Sequence, residues 1–279
     1  MAKPLILDGS RVAEATNQKT MQRVEKLREH GVIPCLATIL VGDNPASETY
    51  VRMKGKMCER LGMKSLRIHL PEETTTEELC QQIVELNQNP EVHGILLQHP
   101  VPSQINERKA FDTIAIEKDV DGVTSWGFGQ VSMGFGQFPS CTPAGIIGIL
   151  DYYQIPIEGA HAVVIGRSPI LGKPVAMLLL ERNATVTICH SKTLDLPSCL
   201  RMADIVVAAV GKPHFVQGDW IKPGAVVIDA GYNEGNVGDV DFESCSKVAG
   251  AITPVPGGPG PVTISYLMKH TVDSAERRV

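Results

Sequence analysis

Strand-like and helix-like segments alternate along almost the entire chain, and this alternation limits the fold more than any single motif does. It predicts an α/β architecture, a parallel sheet covered by helices. In the first half the pattern reads as a helix over 10–30, a strand over 36–41, a helix opening at Pro45 and a strand over 66–70. A helix starting near Thr74, with Leu79, Ile83 and Leu86 on its buried face, and a strand over 94–98 complete that half. The glycine-rich stretch 118–143 has no sustained period and reads as the passage between two domains and part of a cleft wall. The second half reads as helix 142–153, strand 160–165, helix 172–182, strand 185–189, strands at 205–210 and 226–230, and a helical tail over 262–278. Two α/β domains flanking a cleft are therefore expected, the second a Rossmann-like doubly wound parallel sheet.

Composition narrows the function. With 279 residues, 43% hydrophobic and 20% charged, the chain can bury two cores. A formal charge of −5 argues against a general nucleic-acid binder. No apolar run approaches the ~20 residues of a membrane span, and Met-Ala-Lys-Pro lacks a signal-peptide core. The seven cysteines form no C-x-x-C pair and the eight histidines no H-E-x-x-H spacing. Reduced thiols, a cytoplasmic location and no metal are the expectation.

The helix opening at Pro45 carries a lysine in an unusual place. Tyr50, Met53, Lys54, Met57 and Leu61 recur at helical steps and share one face, whereas Lys56 points elsewhere. A lysine among apolar neighbours is desolvated, which disfavours its charged form and suits it to carry protons near neutral pH. The same spacing also fits a lysine that lays its stem on the core and lifts its ammonium into water.

In the second half, Gly166-Arg-Ser-Pro-Ile-Leu-Gly172 joins a strand directly to a helix. That is where a doubly wound sheet offers backbone N–H groups and a helix N-terminus to a pyrophosphate. The spacing is not G-x-G-x-x-G, so a plain strand-to-helix turn remains the alternative. NAD sites usually place an acid about 20 residues beyond the glycine turn. Here the next strand ends in His190-Ser-Lys-Thr193, whose hydroxyls and cation, with Arg167, favour NADP.

Together these stretches resemble the bifunctional methylenetetrahydrofolate dehydrogenase/methenyltetrahydrofolate cyclohydrolase family. The resemblance rests on Val41-Gly-Asp-Asn-Pro-Ala-Ser-Glu-Thr-Tyr-Val51, Gly94-Ile-Leu-Leu-Gln98, Lys118-Asp-Val-Asp-Gly122, Val164-Ile-Gly-Arg-Ser-Pro-Ile-Leu-Gly-Lys-Pro174 and Pro254-Val-Pro-Gly-Gly258. Ala184-Thr-Val-Thr-Ile-Cys-His-Ser191 and Asp229-Ala-Gly-Tyr-Asn233 match as well. It implies oxidation of 5,10-methylenetetrahydrofolate with NADP, then hydrolysis of the methenyl product to 10-formyltetrahydrofolate. It also implies a folate-binding catalytic domain over 1–120 with the tail helix 262–279 packed back on it, an NADP-binding domain over 121–261, and a homodimer.

Residue by residue, the resemblance implies that Lys54 transfers the proton in hydrolysis and that Gln98 supports the lysine and the attacking water. Tyr50 would stack on the aminobenzoyl ring, and Asp121 would accept hydrogen bonds from the pterin's N–H edge. Gly166, Arg167 and Ser168 would line the cofactor phosphates, Ser191 the 2′-phosphate and Tyr232 the cofactor's edge, while Pro256, Gly257 and Gly258 would border the substrate. The chain departs from the family pattern at Gln98-His-Pro-Val-Pro102, at Thr124, Ser125 and Gly127, at Phe138-Pro-Ser-Cys-Thr-Pro143, and at Pro259 and Val262. These changes bear on the cleft wall and leave every residue with an assigned chemical role in place. A mainly hydrolytic enzyme with weak dehydrogenase activity, and a non-catalytic nucleotide-binding protein, are the rival readings.

Overall fold

The structure is a computed structural model that describes residues 3–278. In chain order the elements are β1 (Leu5–Ile6), α1 (Gly9–Glu29), β2 (Cys35–Val41), α2 (Pro45–Arg60), β3 (Lys64–Leu70), α3 (Thr76–Gln88) and β4 (Gly94–Leu97). Helices α4 (Glu107–Thr113), α5 (Ser125–Ser132) and α6 (Cys141–Tyr152) follow, then β5 (His161–Ile165), α7 (Gly172–Glu181), β6 (Thr185–Cys189) and α8 (Leu196–Arg201). The chain continues through β7 (Ile205–Ala208), β8 (Val226–Asp229), α9 (Phe242–Cys245), β9 (Ala251–Ile252) and α10 (Pro259–Glu276).

The described residues form two compact units. One holds the residues up to Glu14 together with Thr142–Thr263; the other holds Ala15–Cys141 and the residues from Ile264 onward. This division differs from a cut at residue 120. Strand β1 pairs in parallel with β9 through Leu5–Ala251 and Ile6–Ile252, which ties the chain's start to its second half. The division also falls inside α1 and α10, where no loop composition marks it.

The unit of Ala15–Cys141 and the residues from Ile264 onward is built on a three-stranded parallel sheet, order β3-β2-β4. All seven residues of β2 are buried, as a central strand requires. Leu36 and Leu96 from the sheet pack with Val24 and Leu27 of α1 and with Leu267, Met268 and Val272 of α10. Truncating any of these leucines or Met268 to alanine would cost about 2–5 kcal/mol. Local chemistry sets the helix ends. The Asn44 side chain accepts from the N–H groups of Ala46 and Ser47, with Pro45 in the first turn, and Gly62 (φ +75°) follows the C-terminus of α2. Thr75 and Glu78 form a reciprocal capping box on α3.

The other unit carries a six-stranded parallel sheet, order β1-β9-β8-β7-β5-β6. Its core includes Val163, Ile165, Val206, Ala208, Val227 and Ile252. The chain leaves β5 toward β6 on one side and then crosses to β7 on the other, so the order reverses between β5 and β7. Such a switch point opens a crevice at the carboxyl ends of the strands, and the Gly166–Gly172 turn sits there. No described helix is long and apolar enough to cross a membrane.

Candidate active site

The helix carrying Lys54 buries the expected face only toward its C-terminus, where Met57 packs against the core and Leu61 is buried, and elsewhere buries a neighbouring stripe. Ser47, Val51, Gly55 and Cys58 are its buried residues, while Tyr50 and Met53 are 37% and 47% exposed. A Cβ on Gly55 would lie 2.1 Å from the Arg67 guanidinium on β3, so glycine lets the sheet's side chains lie against the helix. Lys54 therefore sits at the boundary of the buried stripe, with its amine turned inward. Nζ donates to Gln98 Oε1 at 2.9 Å, and Gln98 Nε2 donates to the His99 carbonyl at 2.8 Å. Gln98, buried at the end of β4, is fixed by its own N–H to the Ile39 carbonyl. Burial pushes the Lys54 amine below its ordinary value, against the opposing field of Asp121 and the Cys141 thiol. An amine so placed can be neutral and can exchange a proton with a group bound next to it.

Asp121 is held by the residues around it in the Lys118–Gly122 motif. The buried Lys118 donates to the carbonyls of Leu86 and Asn89, closing the C-terminus of α3, and its burial lowers the amine to about 8. The Asp119 carboxylate accepts from the N–H groups of Val123 and Thr124. The Val120 carbonyl accepts from His270 Nδ1 at 2.9 Å and from Cys141 Sγ. Burial lowers His270 to about 4, so the ring is neutral with its proton on the nitrogen facing that carbonyl. Gly122 adopts φ +66°, with no room for a Cβ between Phe138 and Ser140. Asp121 is thus left half-buried beside Lys54 and Cys141. Burial and the Asp121 carboxylate together push the Cys141 thiol well up, which keeps it protonated.

In the unit with the six-stranded sheet the glycines of the 166–172 turn are required by close backbone approach. Gly166 has φ +127°, and a Cβ there would lie 2.2 Å from the Ala209 carbonyl oxygen. A Cβ on Gly172, the first residue of α7, would lie 2.3 Å from the Gly166 oxygen. Ser168 Oγ accepts from the N–H groups of Ile170 and Leu171 and so shapes the turn. Arg167, Ser191 and Lys192 are exposed, as is Tyr232, whose hydroxyl donates to Asn236 Oδ1. The nearest acid beyond β6, Asp195, caps α8 through Ser198. Gly257 (φ +104°) and Gly258 lie against the start of α1, where the Gly9 N–H donates to the Gly257 carbonyl, and Pro256 is exposed.

The expected residues therefore fall into two groups. Tyr50, Lys54, Gln98 and Asp121 belong to the unit with the three-stranded sheet; Gly166, Arg167, Ser168, Ser191, Tyr232 and Pro256 to Gly258 belong to the unit with the six-stranded sheet. Sequence reasoning missed Cys141 and His270, and it missed the anchoring parts played by Lys118 and Asp119. The last two stood inside a quoted motif; His270 lay in a helical tail with nothing to mark it. Among the described residues, no three His, Cys, Asp or Glu side chains are grouped to hold a metal ion.

Comparison with known proteins agrees along the whole chain. Residues 7–121 match the model of the tetrahydrofolate dehydrogenase/cyclohydrolase catalytic domain, and residues 140–279 match that of the family's NAD(P)-binding domain. The chain is 66% identical to the bifunctional protein FolD of Shouchella clausii over 279 residues, covering 100% of both, and 59% identical to that of Teredinibacter turnerae, covering 99% of both. The crystal structure of the bifunctional FolD dehydrogenase/cyclohydrolase from Campylobacter jejuni is similar with a TM-score of 0.96 at 44% identity, covering 98% of this chain and 99% of that one. The Trypanosoma brucei enzyme, solved with NADP cofactor and an inhibitor, gives 0.95 at 37% identity over 100% of this chain and 99% of its own. With both halves matched and full-length relatives this similar, the chain belongs to the tetrahydrofolate dehydrogenase/cyclohydrolase family.

Proposed function

We propose that this chain carries out both reactions of its family on one-carbon tetrahydrofolates, with NADP as the oxidant and Lys54 as the proton carrier. The observation that carries this reading is the Lys54–Gln98 pair: an amine lowered by burial, 2.9 Å from a fixed amide oxygen. In the hydrolytic step the oxygen of water adds to the methenyl carbon and Lys54 takes the water's proton. The bond from that carbon to N5 then breaks, N5 receives the proton, and the remaining hydroxyl proton leaves as the formyl group forms. A neutral amine suits this step, because a fixed ammonium would repel the cationic substrate. Gln98 holds both the amine and the water; Tyr50, exposed one turn before Lys54, offers a ring for the aminobenzoyl group. Asp121 accepts from the pterin's N–H edge, and Pro256 to Gly258 border the substrate.

The residues of the unit with the six-stranded sheet fit a phosphorylated dinucleotide. The backbone turn at Gly166 and Gly172 leaves the start of α7 open to a pyrophosphate, beside Arg167 and Ser168. Arg167, Ser191 and Lys192 supply charge and donors for a 2′-phosphate, and the first acid after β6, Asp195, is engaged in capping α8. Tyr232 lies at the cofactor's edge. When bound, NADP supplies the acceptor for the hydride of the methylene group; the protein's part there is alignment and exclusion of water.

A cytoplasmic location is supported by seven cysteines that are all free thiols. The homodimer rests on the family resemblance and is checked by sedimentation. Both steps should be followed on one preparation through the methenyl chromophore, which forms with NADP and decays on hydrolysis. A protein that binds NADP yet does neither would refute the reading, and hydrolysis without hydride transfer would favour the mainly hydrolytic alternative.

A further inference from the structure

Two buried carboxylates lie beneath the loops that leave β7 and β8. Asp239 is completely buried. Its Oδ2 accepts from the N–H groups of Val210 (2.6 Å) and Gly211 (2.9 Å), and its Oδ1 from Lys212 N–H (2.9 Å) and Asn233 Nδ2 (3.0 Å). Asp229, 4% exposed at the end of β8, accepts from the N–H groups of Gly231, Asp239 and Val240. Its own N–H donates to Thr253 Oγ1, just past β9. The fit is close on every side. A Cβ on Gly231 would lie 2.2 Å from Asp239 Cγ, and one on Gly238 would lie 1.8 Å from Asp229 Oδ2.

The position of this clasp in the sheet gives it a consequence. Three successive backbone N–H groups converging on one point form a nest of the kind that binds anions. Here the nest over 210–212 is already filled by Asp239, so the 166–172 turn is left as the pyrophosphate seat at the switch point. On the cofactor reading above, the 2′-phosphate lies beyond β6. A dinucleotide crossing the switch point must then place its nicotinamide half over the loops after β7 and β8. We propose that Asp239, fixed by Asp229, is a positioning residue for the nicotinamide half of the cofactor: it holds the 210–212 loop and, through Asn233, the 230–240 loop in their binding geometry. The pair reaches the cofactor only through those loops, and the adenosine half is held by other residues.

The inference rests on the proposed NADP site, and a fragment of the cofactor separates the two. Adenosine 2′,5′-bisphosphate carries the adenosine and 2′-phosphate and lacks the nicotinamide. Wild type, Asp239→Asn and the milder Asn233→Ala should be titrated with NADP and with this fragment, and assayed for both activities. Removing the charge from a carboxylate that fills four N–H donors should raise the Kd and KM for NADP by roughly 10–100-fold. Asn233→Ala should raise them less, in the same direction. Affinity for adenosine 2′,5′-bisphosphate and hydrolysis of methenyltetrahydrofolate should stay within about twofold, a split that general loss of structure would not produce. Equal weakening of NADP and the fragment in Asn233→Ala, or unchanged NADP affinity in a folded Asp239→Asn, would overturn the inference. Wild-type protein that binds neither molecule would overturn the cofactor reading and this inference with it.

Discussion

Lys54→Met isolates the proton carrier from the framework that holds it. Methionine keeps the length and apolar stem of the side chain, so α2 and its buried stripe of Ser47, Val51, Gly55 and Cys58 should be unchanged. The substitution removes a desolvated amine, which favours folding, and takes the donor from Gln98 Oε1, which costs about 1–3 kcal/mol if the oxygen stays buried and unpaired. These effects oppose each other, and unfolding free energy in urea should change by less than about 2 kcal/mol. Catalysis should change far more. A positioned acid/base group contributes ~10²–10⁴-fold, or about 3–5 kcal/mol of barrier, so hydrolysis of methenyltetrahydrofolate should fall by that factor. Hydride transfer depends on alignment, so the dehydrogenase should retain a larger fraction of its rate and the methenyl chromophore should accumulate. The pH dependence has a defined sign. Burial lowers the amine's pKa, so wild-type hydrolysis should rise as pH increases through that lowered value, and the rise should vanish in the variant. The native state also releases this proton before the unfolded chain does, so wild type should gain stability relative to Lys54→Met as pH rises between the lowered value and the ordinary lysine range. A folded variant that hydrolyses the methenyl compound at near wild-type rate would refute the reasoning and turn attention to His99.

Other substitutions test other parts of the argument. Arg167→Ala should weaken NADP use by ~1.5–3 kcal/mol, the worth of a charge-assisted hydrogen bond, and NAD use much less; equal losses in kcat/KM would remove Arg167 from the 2′-phosphate. Gly166→Ala forces a side chain into φ +127° and against the Ala209 carbonyl. It should cost at least about 1–3 kcal/mol in thermal unfolding and abolish cofactor binding, a result that normal NADP titration would contradict. Burial pushes the Asp229 carboxyl up to about 6 against the pull of three backbone N–H donors. A raised carboxylate contributes stability at low pH that is lost as pH rises through its folded pKa, so the stability difference between wild type and Asp229→Asn should fall by on the order of 2–3 kcal/mol between about pH 4 and pH 6. A flat difference across that window would mean Asp229 titrates at its ordinary value.

Much of the fold was legible because it follows local rules. Strand β6 occupies the expected residues, and α3 buries Leu79, Ile83 and Leu86 as its period requires. The reading failed where contacts are remote or short. The two-residue strands β1 and β9 have no period of their own and exist because each pairs with a distant neighbour. Helices α4, α5, α8 and α9 are too short for periodicity to identify. Helix α5 lies in the glycine-rich stretch read as irregular, where the Thr124 side chain caps it by accepting from Gly127 N–H.

What the sequence determined by itself was the chemistry: an α/β chain, a strand–turn–helix without an NAD-type acid, and the motifs that placed Tyr50, Lys54, Gln98 and Asp121. Tertiary structure decided which stripe of α2 is buried: Ser47, Val51, Gly55 and Cys58 are covered while Tyr50 and Met53 stay exposed, because Gly55 meets Arg67 of β3 and Cys58 packs beside Met268 of α10. It also decided what surrounds the motif residues. His270 and Cys141 meet at the Val120 carbonyl from positions 150 and 21 residues away, and Asp239 gathers N–H groups from 27 to 29 residues upstream. Hydrogen bonds of that span leave no period and no spacing in the chain, because the partners are chosen by the folded backbone that brings them together.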